Sequence, residues 1–193
     1  MSQKEQLLKE LSQMAEMMRR SRPHALDGYK YQSEYETVVR EGTVYSDKPL
    51  SGQERDELLP LINHLARHSR LRQKECFANA YTLAMLGHDF GVPISYAEGF
   101  AKNVIAVNHA WCVFRGRPID VTWREGLNDN RKSVSAVMER IDWCIKNCAY
   151  AGFVVPLEYL NKMRLKYLQH ISVLDDWQGH WPVMKSGLAA LVS

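Results

Sequence analysis

The amino-acid order predicts an α+β fold. Helical segments precede and follow residues 93–123 of the 193-residue chain, which are a run of β-branched and aromatic segments joined by short turns. Just before that run, Phe77, Ala78, Ala80, Tyr81, Leu83, Ala84, Met85 and Leu86 are apolar nearly all round a helix, a pattern suited to the centre of a domain. The organisation reads as an N-terminal amphipathic helix over 1–22 and one main domain over 23–193.

Taken in order, Leu7, Leu8, Leu11, Met14, Met17 and Met18 recur at helical spacing between Ser2 and Arg20, ending at Ser21-Arg22-Pro23. This methionine-bearing face packs on the domain or offers a homodimer contact. Asp27 to Pro49 reads as loop with some strand. Ser51-Gly52-Gln53-Glu54 is a capping box that opens a helix toward His68, and Pro60 within it predicts a kink or a later start. The buried helix spans Glu75 to Leu86, with Gly87 as its stop. Strands follow over Pro93–Phe100, Val104–Phe114 and Pro118–Trp123, joined by Ala101-Lys102-Asn103 and Arg115-Gly116-Arg117 as an antiparallel meander. Helices return over Ser133–Ala149 and Leu157–His170, the latter with Pro156 near its first turn. Asp175 to Ser193 carries Trp177, His180 and Trp181 and has no clear period.

With 25 Lys+Arg against 22 Asp+Glu, the net charge of +3 is too small and dispersed for a nucleic-acid partner. No apolar run approaches the ~20 residues that cross a bilayer, so no membrane role is expected. Lys4, Glu5, Lys9 and Glu10 replace the apolar stretch of a secretory signal. Cys76, Cys112, Cys144 and Cys148 then read as free thiols in a reducing compartment, and the expected location is the cytoplasm.

The chemistry centres on Cys76, which opens the buried helix. Unpaired N–H groups and the helix dipole favour a thiolate there. Leu58 to Lys74 contains no acidic residue, while Arg67, Arg70, Arg72 and Lys74 accumulate upstream. His109 lies in an apolar strand, and Asp120 is set between Ile119 and Val121, where a carboxylate needs a partner. If Arg115-Gly116 is a two-residue loop, residues whose numbers sum to 231 face each other. Trp111 then opposes Asp120, with His109 diagonal on the same face. A three-residue loop without a bulge would put His109 and Asp120 on opposite faces.

Cys76-Phe77-Ala78-Asn79-Ala80, then His109-Ala110-Trp111, then Ile119-Asp120-Val121-Thr122-Trp123 resembles the core of the transglutaminase-like superfamily, a branch of the papain-like cysteine enzymes. Val121 stands where the family pattern has proline. The resemblance implies a nucleophile helix packed on an antiparallel sheet, with Cys76 as nucleophile, His109 as base and then acid, and Asp120 as orienter of the imidazole. It further implies acyl transfer on an amide through a thioester (protease, deamidase or transglutaminase), on a protein or peptide substrate, without metal or organic cofactor. The contrasting reading is a non-catalytic binding or inhibitor protein, phage- or bacterium-encoded, that uses the fold as a scaffold.

Gln73 is the side-chain oxyanion candidate, and Trp111 and Glu98 are further substrate-side candidates; Glu98 either lines a cleft beside His109 or faces solvent. Cys144 and Cys148, one turn apart, have no second ligand pair, so core packing is expected rather than zinc.

Overall fold

The computed structural model describes residues 1–21, 26–68, 71–72, 74–123 and 133–192. It is a mixed α+β chain whose five strands are hydrogen-bonded in the order β1-β5-β2-β3-β4. The helices are α1 (Gln3–Ser21), α2 (Glu34–Glu41), α3 (Gly52–His68), α4 (Cys76–Phe90), α5 (Val134–Asn147), α6 (Leu157–Tyr167) and α7 (Pro182–Ser186). The strands are β1 (Thr43–Val44), β2 (Ile94–Lys102), β3 (Ala106–Phe114), β4 (Arg117–Ile119) and β5 (Ala149–Val154). A 3-10 turn over Gly187–Leu191 ends the described chain. No helix among the described residues is long and apolar enough to cross a membrane.

The chain forms two compact units, the first made of Met1–Val44, Glu98–His109 and Ala149–Ser193, the second of Tyr45–Ala97 and Ala110–Cys148. In the first unit α1 buries Leu7, Leu11 and Ala15 against α2 and β5. The stretch expected as loop contains α2. Ser33 is its N-cap and accepts from the Glu36 N–H, while the Glu36 carboxylate accepts from the Gln32 N–H. The Ser-x-x-Glu spacing is present in the sequence, although the glutamate reaches back to residue 32 and not to the N-cap amide itself. The second departure is β5, which begins where the preceding helix was expected to finish. It pairs antiparallel with β1, Thr43 opposite Gly152 and Val44 opposite Ala151. A Cβ on Gly99 would collide with the backbone of Ala151 and Gly152, so this close approach requires glycine.

In the second unit α3 packs on α4 and α5, and α5 on β4. Leu58, Leu61, Ile62, Leu65, Leu83 and Ile119 are wholly enclosed, each worth about 1.5–3 kcal/mol relative to exposure. Ser51 and Glu54 close the expected capping box, and α3 runs through Pro60 instead of starting after it. Helix α4 continues one turn beyond its expected stop. Gly91, at φ 67, is the left-handed cap, and its N–H returns to the Gly87 and His88 carbonyls. Gly87 serves packing instead, since a Cβ there would run into the Ile94 side chain.

The β3–β4 hairpin has the two-residue loop. Arg115 (φ 50) and Gly116 (φ 77) are both left-handed, as a type I′ turn demands. Cys112 faces Ile119, Val113 faces Pro118 and Phe114 faces Arg117, each pair summing to 231. Strand β4 is shorter than expected because the Asp120 carboxylate bends the chain. Its Oδ1 accepts from the N–H groups of Thr122 (2.8 Å) and Trp123 (3.1 Å).

Candidate active site

Cys76 is the first residue of α4 and is 8% exposed. The preceding Lys74 adopts a left-handed conformation, φ 61, that turns the chain into the helix. Glu75 stands at the N-cap without a side-chain cap hydrogen bond, and the first turn carries no acid. Cys76 therefore sits in a first turn that holds no acidic side chain and whose start has no side-chain cap. Outside the helix, Arg72 pairs with Glu75, Nη1 to Oε1 at 3.2 Å, so the expected basic approach is partly balanced. Arg70 and Gln73, the oxyanion candidate, lie outside the described residues.

One turn into α4, Asn79 ties this helix to two segments. It is 3% exposed. Its Nδ2 donates to the Arg72 carbonyl at 2.7 Å and to the Thr122 hydroxyl at 2.9 Å, and its Oδ1 accepts from the Arg72 N–H at 3.2 Å. The Arg72 backbone and the turn that follows Asp120 are thus both fixed to α4. From the other side, the buried Arg140 of α5 donates Nη1 to the Val121 carbonyl at 3.3 Å, and Cys144 donates Sγ to the Trp123 carbonyl at 3.3 Å. Residues 120–123 are held at every position by side chains of α4, α5 or Asp120 itself.

Asp120 is 1% exposed, as its position between two aliphatic residues required. Continued by one residue pair, the β3–β4 register sets Trp111 opposite Asp120. Alternation along β3 puts His109, two residues before Trp111, on the same side of that strand. His109 is itself buried, and its neighbour Asn108 donates Nδ2 to the Ser172 hydroxyl at 3.3 Å. Cys76 and Asp120 belong to the second unit, and His109 closes a segment of the first.

The remaining candidates have structural placements. Trp111 is wholly buried, edge to face with Tyr45 at 5.6 Å. Glu98 does not face solvent: it is fully buried in the first unit and accepts from the N–H of Val173 (3.0 Å), the N–H of Leu174 (2.8 Å) and the Ser172 hydroxyl. A carboxylate enclosed by two amides and a hydroxyl is satisfied where it stands. Cys112 donates Sγ to the Ala80 carbonyl at 3.1 Å; burial, reinforced by the Asp120 charge, pushes its thiol well above the ordinary range. Cys144 is enclosed in α5, and Cys148 is the buried cap residue just past it. No group of three or more metal-ligating side chains occurs among the described residues.

Sequence reasoning did not single out Asn79, Thr122 or Arg140. Two of them had a usable signal. Asn79 is an amide in an otherwise apolar helix, and Arg140 interrupts the Val137-Ile141-Cys144 stripe of α5. A polar group on a buried face needs named partners. Comparison with family models, curated proteins and solved structures finds no match to this chain.

Proposed function

We propose that this chain is a cysteine-dependent acyl-transfer enzyme of transglutaminase-like fold, acting on an amide of a protein or peptide. The observation that carries the reading is the β3–β4 register, whose pairs sum to 231. It is a hairpin geometry compatible with the ordered Cys76, His109, Asp120 pattern, whereas a three-residue loop without a bulge would put His109 and Asp120 on opposite faces. A cysteine at an uncapped helix start, entered through a left-handed lysine, supports it further.

In this reading the Cys76 thiolate adds to the amide carbonyl carbon, and the oxyanion forms toward the N–H groups at the start of α4. Collapse breaks the C–N bond while the His109 imidazolium gives its proton to the leaving amine, leaving a thioester on Cys76. His109 then takes a proton from water as the hydroxyl adds, and the thioester collapses to acid and thiolate. A primary amine in place of water gives transamidation. Hydrolysis ranks first because water is always the more abundant acceptor. Asp120 holds the imidazole tautomer and offsets its charge. Val121 in place of proline leaves the turn to be shaped by the Asp120 carboxylate and Asn79, which supply the needed constraint.

The test is an acyl-enzyme trap. Incubation with a mixed peptide digest, acid quench and intact-mass measurement should give a thioester adduct on Cys76 that hydroxylamine removes. Cys76→Ser and His109→Ala should give none. A biological activity that survives Cys76→Ser and is lost only when the exposed Leu8 and Met17 of α1 are replaced would instead establish the scaffold reading.

A further inference from the structure

The first unit contains a groove unconnected with the chemistry proposed for Cys76. One wall is α6, where Tyr159, Met163, Lys166 and Tyr167 recur at the spacing of a single helix face. Pro182 and Ala189 of the C-terminal segment form the other wall. Its volume, about 510 Å³, falls within the range of small-molecule pockets.

The polar groups are few, and Tyr167 links Lys166 on the α6 wall to Asp176. At one end is the Asp176 carboxylate, only 3% exposed, which accepts from the Tyr167 hydroxyl (3.1 Å to Oδ1 and 3.3 Å to Oδ2) and, through Oδ1, from the Gly179 N–H at 2.8 Å. Asp176 also lines the groove, and a carboxylate has about four lone-pair sites, more than these contacts use. Along α6, Lys162 and Lys166 stand one turn apart and exposed, with the Glu158 carboxylate 3.8 Å from Lys162 as the nearby counter-charge. Lys166 lies over the Tyr167 ring, 4.6 Å from its centroid. Tyr159 is half-buried, and burial, with the neighbouring Asp176 charge, pushes its phenol up to about 12. It stays a neutral hydrogen-bond donor at physiological pH.

The turn that closes this end is held in costly conformations. His180 (φ 57) and Trp181 (φ 47) are consecutive left-handed residues, and a Cβ on Gly179 would strike the Asp176 carboxylate. The Trp181 N–H bonds the Asp176 carbonyl at 2.8 Å, and Tyr29 donates its hydroxyl to the His180 carbonyl at 2.9 Å. Strain maintained by several contacts beside a cavity is the pattern of a binding site.

We propose that this groove binds a small aromatic acid. The ring lies over Met163 between the two tyrosines, the carboxylate meets Lys162 and Lys166, and a ring N–H or O–H donates to Asp176 Oδ2. Charge decides the class: the positive groups lie along the open α6 wall and the acceptor lies deep, so a ligand must carry its anion outward and its donor inward. Tyrosine faces and a methionine floor favour a flat, polarisable body.

The test uses indole-3-acetate, which has both features, and follows amide shifts of the full chain by NMR. Saturable shifts confined to residues 157–190, with Kd below about 1 mM, are expected. Indole-3-acetamide, which lacks the charge, should bind at least about tenfold more weakly, equivalent to about 1.4 kcal/mol. Ala189→Trp, at an exposed position, fills the groove and should abolish the shifts, and Lys162→Glu with Lys166→Glu should weaken them to the level of the amide. Absent shifts would overturn the proposal. So would shifts that persist in Ala189→Trp, or equal affinity for acid and amide. Each result is independent of whether Cys76 is catalytic.

Discussion

Replacing Asn79 with alanine should weaken the second unit and slow the chemistry of Cys76 together. The side chain makes three hydrogen bonds, at 2.7, 2.9 and 3.2 Å, two of them to the Arg72 backbone and one to Thr122. Arg72 is exposed, so its N–H and C=O can turn to water when the amide is removed; Thr122 is buried. At about 0.5–1.5 kcal/mol net per bond, with the two Arg72 bonds counted at the low end, the loss is about 1.5–2.5 kcal/mol. Urea denaturation followed by tryptophan fluorescence measures it. Thr122→Val alone should cost about 1 kcal/mol, and the double variant less than the sum of the singles by about 1 kcal/mol, since one bond is lost in both. Asp120 holds the same turn through the Thr122 and Trp123 amides, so loosening it from α4 should slow alkylation of Cys76 as well. Strict additivity, or a loss below about 0.5 kcal/mol, would refute the role given to Asn79.

Three other perturbations test the surrounding framework. Gly87→Ala drives a methyl group into Ile94 and should cost about 1–3 kcal/mol, measured by the same denaturation; a neutral result would contradict the α4–β2 packing. Glu98→Gln removes one of the acceptor oxygens that hold residues 172–174 and should speed hydrogen exchange of the Val173 and Leu174 amides by about tenfold or more, while unchanged exchange would show that those amides have other partners. Tyr45, enclosed against Trp111, is pushed up to about 12 by burial, above the ordinary tyrosine value of about 10. The folded chain therefore keeps a proton that the unfolded chain releases, so stability is full below about pH 10 and falls as pH rises toward 12. Tyr45→Phe should make that alkaline loss shallower by its one-proton share, with Tyr159 still contributing, measured as denaturation midpoints between about pH 9 and pH 11.5; an equally steep loss in the variant would place the titration elsewhere.

Most of the helices and the β3–β4 hairpin are legible because their signals are local. The Ser51–Glu54 box and the apolar stripe of α1 each state a backbone conformation in a few residues, and Gly116 marks the hairpin turn, whose two-residue length the strand register decides. What escaped was set by distant contacts or by competition among local signals. The six-residue β5, Ala-Tyr-Ala-Gly-Phe-Val, has small residues where strands usually carry large ones, because Gly99 brings a neighbouring backbone against it. Gly87 and Gly91 are both plausible helix stops in sequence; the Ile94 side chain gives Gly87 another purpose, and only the fold shows it. Asp120 was placed correctly as a buried acid, but its capture of two amides, which ends β4 early, depends on the chain turning there. The sequence leaves Glu98 open between a cleft and solvent, because the amides that enclose it, at 173 and 174, are more than seventy positions away.

The most direct measurement of the central claim is intact-mass analysis after brief iodoacetamide treatment of the native chain at about pH 6, where ordinary thiols are almost wholly protonated and slow. The account predicts one fast adduct that maps to Cys76 and slows in His109→Ala. Cys112, Cys144 and Cys148 should stay unmodified, enclosed as they are, with Cys112 further protected by its raised thiol. Cys76 reacting no faster than the other three thiols, or at the same rate without His109, would contradict it.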